Sequence, residues 1–111
     1  CIPCIEELPG IKRLAAAMHD LPFAVIGVNV GETPGRARTT AKRLQMDFTV
    51  LLDRDSAVFN RWGGRVLPTA YVLDRNGQIR YIGRGPLEWD RSDILASLRE
   101  LALTRPEANP E

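Results

Sequence analysis

Two cysteines, Cys1 and Cys4, stand three residues apart in the stretch CIPCIEELPG, and the 111-residue chain holds no others. Thiols at that spacing can exchange electrons as a pair, supply half of a metal site, or simply lie idle. Zinc ordinarily takes four ligands, and beyond this pair the chain offers one histidine and no second CxxC. His19 follows Cys4 by 15 residues. On a shared helix it would stand more than roughly 20 Å away, at about 1.5 Å per residue, too far to join the cysteines or act as their base. It reads as a surface residue near a helix C-terminus, and no metal is expected.

A redox pair fits the local pattern better. At the front of a helix, Cys1 would be exposed and would face unpaired backbone N–H groups and the positive end of the helix dipole. Both favour thiolate over thiol. Cys4, nearly one turn further in, would be more shielded yet within disulfide reach. One sulfur can then attack a substrate disulfide while the other resolves the mixed disulfide. Between them, Ile2-Pro3 adds a residue with no N–H to donate, which stiffens the first turn. Glu7 comes three residues after Cys4, hence next to it on the helix surface. A partly buried carboxylate there could shuttle the resolving thiol's proton. An exposed first-turn glutamate, merely favoured by the dipole, is the plainer alternative. Glu6 takes no role.

The elements that must carry these residues are those of one small domain. Hydrophobic residues make up 44% and charged residues 26%, an ordinary balance for a folded chain. The net charge of +1 gives no reason to expect nucleic acid or an anionic membrane as partner. The basic run GRARTTAKR reads as a solvated helix face. The longest apolar run, FAVIGVNV, is too short to span a bilayer.

Helix periodicity covers Ile2 to Met18, with Leu8, Ile11, Leu14, Ala15 and Met18 on one face and a kink expected at Pro9. Phe23 to Val30 reads as a strand buried on both faces. Thr33-Pro34 caps a helix running to about Gln45, with Ala37, Ala41 and Leu44 inward. Phe48 to Leu52 is a short strand. Ser56 can cap a short helix through Phe59 and Trp62, stopped by Gly63-Gly64. Thr69 to Asp74, the turn RNG and Gln78 to Gly83 form an antiparallel hairpin. Asp90 or Ser92 opens the last helix, whose buried stripe is Ile94, Leu95, Leu98, Leu101 and Ala102. The order α-β-α-β-α-β-β-α means an α/β fold whose mixed sheet ends in a hairpin. Residues 1–103 form the expected domain, and 104–111 a polar, frayed tail.

Pro68 adds a further clue, because a proline just before a strand disfavours sheet pairing. A cis Leu67–Pro68 bond would turn the chain sharply there and leave backbone free to pair with a peptide. A trans proline that merely caps the strand is equally compatible with the residues.

CIPCIEELP, FAVIGVNVGE, FTVLLDRDSAVFNRWGGRVLPTAYVLDRNGQI and the closing GRG together resemble the TlpA/ResA-like branch of the thioredoxin superfamily. The resemblance runs from Cys1 to about Leu103. It implies a thioredoxin-like fold with a mixed central sheet, flanking helices and an inserted helix–strand unit, here Pro34 to Leu52. Members of this branch are extracytoplasmic thiol–disulfide oxidoreductases, several of them serving cytochrome c maturation. The resemblance makes Cys1 the attacking cysteine and Cys4 the resolving one. Pro68 becomes a cis-proline facing the disulfide, Leu67 lends backbone to the substrate, and Glu7 matches the acidic residue that follows the CxxC. It further implies no cofactor, a protein disulfide as substrate, a membrane electron donor and a periplasm-facing location.

Family members carry a tryptophan or similar residue before the CxxC, and a buried strand leading into it. Neither is present, so a gap is expected between FAVIGVNV and TAYVLD, and the chain reads as the retained part of a longer protein. The expected activity is disulfide exchange with protein substrates, leaning towards reduction. Two rivals are a peroxiredoxin-type peroxidase and a non-catalytic module that holds a partner peptide in the cis-proline groove.

Overall fold

A computed structural model describes residues 1–104. The polar tail read over 104–111 therefore lies, from residue 105 onward, outside the described residues. The elements follow the expected order: α1 (Ile2–Ala17), β1 (Ile26–Val30), α2 (Pro34–Arg43), β2 (Thr49–Asp53), α3 (Ala57–Arg61), β3 (Thr69–Leu73), β4 (Ile79–Arg84) and α4 (Ser92–Leu103). They gather into two compact units, one from 1–23 together with 66 onward, the other from 24–65.

In the first unit, α1 begins at Cys1 as N-cap and runs as one helix through Pro9. Leu14 and Met18 meet Trp89, Leu98 and Ala102 in a buried cluster, with Ile11, Phe23, Ala70, Val72, Ile94 and Leu95 packed around it. The stripes read from α1 and α4 thus face a common core. Strands β3 and β4 pair antiparallel, Thr69 opposite Arg84 and Val72 opposite Tyr81, with an irregularity at Val72/Leu73. Asp74 ties the hairpin turn: its Oδ1 accepts from the N–H groups of Asn76 at 2.9 Å and Gln78 at 3.0 Å. Arg91, rather than Asp90 or Ser92, is the N-cap of α4, and its side chain makes no capping bond. The Arg91 guanidinium pairs with Asp93 instead, at 2.6 Å.

In the second unit, β1 and β2 pair parallel, Ile26 opposite Thr49 and Val30 opposite Asp53. Thr33 caps α2 as expected, its hydroxyl accepting from the Arg36 N–H at 3.3 Å. Phe48 and Met46 lie over Gly27 of β1.

Two expectations need correction here. First, β1 starts at Ile26 rather than Phe23, and it is not buried on both faces: Ile26 is 57% and Val28 50% exposed. Second, Ser56 precedes α3 but does not cap it. It sits in the left-handed region (φ 61°), where its side chain makes no capping bond. Asp53 does that work from the end of β2, its carboxylate accepting from the N–H groups of Val58 at 3.1 Å and Phe59 at 2.8 Å. The expectation of an interrupted sheet holds: the strands form two two-stranded sheets, β1-β2 and β3-β4. Among the described residues no strand pairs with both β1 and β3, so nothing continues the hydrogen-bond ladder from one to the other.

Candidate functional site

The cysteines sit at the start of α1, as the spacing requires. Cys1 and Cys4 form a disulfide, with their Cα atoms 5.3 Å apart, so the structure is that of the oxidised chain. Cys1 is exposed and Cys4 half-buried, the asymmetry expected of an attacking and a resolving sulfur. The Cys4 N–H points at Cys1 Sγ, 3.3 Å away, so the cysteine sulfur occupies the position a serine or aspartate oxygen usually takes in a helix cap. The Ile5 N–H donates to the Cys1 carbonyl at 3.2 Å and closes the first turn around the pair.

Glu7 is buried, at 8% exposure, which excludes the exposed first-turn alternative. A buried carboxylate must be hydrogen-bonded to persist. Its partner is the backbone N–H of Leu87, which donates to Oε2 at 2.8 Å across 80 residues of sequence. Nothing about Leu87 as an isolated residue marked it for this contact. The only signal nearby was the GRG stretch ending at Gly85, which had no assigned role. Glu6 is exposed.

The Leu67–Pro68 peptide bond is cis, and Pro68 is buried while Leu67 stays exposed. The Pro68 carbonyl accepts from the Gly85 N–H at 2.9 Å. The Thr69 hydroxyl donates to the Val66 carbonyl at 2.6 Å and fixes the turn that leads into β3. Among the described residues no hydrogen bond engages the Leu67 backbone.

His19 lies just beyond α1, its Nδ1 2.9 Å from the Ala16 carbonyl, at the opposite end of the helix from the sulfurs. An apolar cleft of about 240 Å³ is lined by Tyr81, Gly83, Leu87, Trp89, Ile94 and Leu98 among others, and holds neither cysteine nor Pro68. The candidate residues lie in the first two turns of α1 and on the segment around Pro68.

The chain is similar to known proteins. Residues 1–98 match the family described as Redoxin. The thiol-disulfide oxidoreductase ResA of Geobacillus thermodenitrificans (strain NG80-2) is 31% identical over 101 residues, 91% of this chain and 57% of that protein. Protein DipZ of Mycobacterium bovis (strain ATCC BAA-935 / AF2122/97) is 28% identical over 100 residues, 86% of this chain and 14% of that protein. The chain thus spans about half the length of the ResA relatives it matches. Among solved structures, StoA from Bacillus subtilis superposes with a TM-score of 0.70 at 21% identity, covering 91% of this chain and 73% of that one. The thioredoxin domain of a thiol-disulfide oxidoreductase from Bacteroides vulgatus does so with 0.76 at 16% identity, covering 92% and 71%. These last two similarities establish the fold, which is thioredoxin-like.

Proposed function

The chain belongs to the Redoxin family, and from that premise we propose that it is a thiol–disulfide oxidoreductase acting on protein disulfides through Cys1 and Cys4. The observation that carries this reading is the Cys1–Cys4 disulfide at a helix start, with the Cys4 N–H aimed at the outer sulfur. In the reduced protein the same N–H and the helix dipole favour a Cys1 thiolate. That thiolate attacks one sulfur of the substrate disulfide. The substrate S–S bond breaks, a mixed disulfide forms, and the first substrate sulfur leaves as a thiolate that takes up a proton. Cys4 then gives its proton to Glu7 and attacks Cys1 Sγ. The intramolecular disulfide forms and the second substrate sulfur leaves as a thiolate, which takes the proton held by Glu7. Two electrons pass to the substrate, with one proton from Cys4 by way of Glu7 and one from solvent, and the two sulfurs need no cofactor.

Leu67 and Pro68 complete the proposal. The unengaged Leu67 backbone offers an N–H and a carbonyl to an extended peptide, so that a substrate strand is held beside the disulfide. We take residues 1–103 as the working domain. Its resemblance to the TlpA/ResA-like branch supports an extracytoplasmic setting, re-reduction by a membrane electron donor and service in cytochrome c maturation.

An equilibrium titration of Cys1 and Cys4 in thiol buffers, read by alkylation and mass, tests the reading. A reversible two-electron couple below about −220 mV supports a reductase, against roughly −270 mV for thioredoxin. A value near about −120 mV, that of strong oxidants, reverses the direction. If no intramolecular disulfide forms at any poise, exchange is wrong and a peptide-holding module takes its place.

A further inference from the structure

Row by row along α1, Cys4, Glu7, Gly10 and Arg13 follow each other at intervals of three, so each is the surface neighbour of the next. One stretch of chain, Gly85 to Asp90, lies along the upper part of this row. It is fixed first by the Gly85 N–H on the Pro68 carbonyl at 2.9 Å. The Leu87 N–H on Glu7 Oε2, at 2.8 Å, fixes it again. Its far end is tied by Arg13, whose Nε donates to Asp90 Oδ2 at 2.7 Å. Between the two side-chain ties stands buried Gly10. A Cβ there would come within 3.0 Å of Asp90 Oδ1 and 3.7 Å of the Trp89 backbone nitrogen, so the missing side chain is what lets the stretch lie close. The Arg91 N–H on the Glu88 carbonyl, at 3.1 Å, closes the end into a turn.

We propose that Arg13 and Asp90 are positioning residues for the dithiol reaction: by tying the 85–90 stretch to α1 they hold the Leu87 amide on Glu7, and so fix the carboxylate that receives the Cys4 proton. The inference rests on the reading of Glu7 given above. Stability alone is a poor explanation for the pair. The Arg13 side chain is 64% and the Asp90 side chain 33% exposed, and ion pairs in such settings contribute little to folding. What the pair does supply is position, since its partner segment carries the Leu87 N–H that donates to the Glu7 carboxylate. A carboxylate acting on a proton is sensitive to placement, because displacements of about an ångström can cost orders of magnitude in rate.

The test uses the full chain, reduced, mixed rapidly with a chromogenic aryl disulfide. The first aryl thiolate reports attack by Cys1, and the second reports resolution by Cys4. Replacing Glu7 with Gln is expected to slow the second release about 100-fold while leaving the first within about twofold. Arg13→Gln and Asp90→Asn should each slow the second release alone, by roughly tenfold. The double variant E7Q/R13Q should be no slower than E7Q, because Arg13 acts through Glu7. Arg13→Lys should recover part of the loss. If E7Q slows resolution and R13Q does not, the inference fails while the role of Glu7 stands. If E7Q leaves resolution unchanged, the role of Glu7 fails and takes the inference with it. Effects that multiply in the double variant, or that slow both releases equally, would make Arg13 merely structural and overturn the proposal.

Discussion

Residues 1–23 with 66–104 and residues 24–65 differ in what they bury. The first unit closes over Leu14, Met18, Trp89, Leu98 and Ala102, a large apolar cluster, and Met18 is wholly enclosed. In the second, the buried residues are Ala37 and Asp53, and the carboxylate of Asp53 organises the turn into α3. Apolar strand residues of that unit, Ile26, Val28, Leu51 and Leu52, stay about half exposed. The unit that carries the dithiol is therefore set by packing and is hard to deform. The other is set largely by backbone ladders and one buried charge. Its helix α2 presents Arg36, Arg38, Lys42 and Arg43 with no acidic residue in the element.

That contrast can be broken most completely at the chemistry. Cys1→Ser should abolish turnover on protein disulfides, measured by insulin reduction or an equivalent assay, because no second nucleophilic sulfur stands outside the pair. Residual turnover would mean that Cys1 is not the obligatory attacking sulfur. The next effect is on packing. Met18→Ala should cost about 2–5 kcal/mol, whereas Val28→Ala, half exposed in β1, should stay within about 0.5 kcal/mol. Urea midpoints at constant slope would read both, and equal costs would erase the distinction drawn between the units.

Asp53→Ala should cost about 1–3 kcal/mol, since it leaves the Val58 and Phe59 amides without their acceptor. Faster hydrogen exchange at those two amides, with the α1 and α4 amides unchanged, would localise the loss to residues 24–65. The smallest effect lies at the hairpin. Backbone N–H groups of Gln78 and Asn76, helped by Arg80, hold the Asp74 carboxyl below the usual carboxylate range. A group depressed in the folded state stabilises it above the unfolded pKa of about 3.9, and loses that contribution as pH falls through the folded value. Acid titration should therefore loosen the β3–β4 turn only below about pH 4, and Asp74→Asn should flatten that limb.

Much of this architecture was legible in the residues because it depends on local rules. Thr33-Pro34 opens a helix, RNG turns a hairpin, and apolar spacing selects the inner faces of α1 and α4. The cysteines and Pro68 were legible for the same reason, since each carries its constraint in its own covalent structure. What could not be read needs a partner distant in sequence. The FAVIGVNV run states a demand for burial on both sides, but burial depends on what covers it, and Ala24, Ile26 and Val28 are open. Ser56 was the obvious cap by residue type. Asp53, three positions earlier, reaches the same amides with two oxygens instead of one. The carboxylate of Glu7 could be located beside Cys4, whereas its tie to Leu87 spans 80 residues and uses a backbone group that every residue but proline possesses.

Pro9 gives α1 a mechanical property of its own. Having no N–H, it cannot donate to the Ile5 carbonyl, so one rung is missing from the helix ladder. The gap falls between the turn that holds the two sulfurs and the turns that grip Trp89 and Leu98. A rod with a missing rung bends there first. The end of α1 that carries the Cys1–Cys4 disulfide can therefore flex without levering Leu14 and Met18 out of their seats.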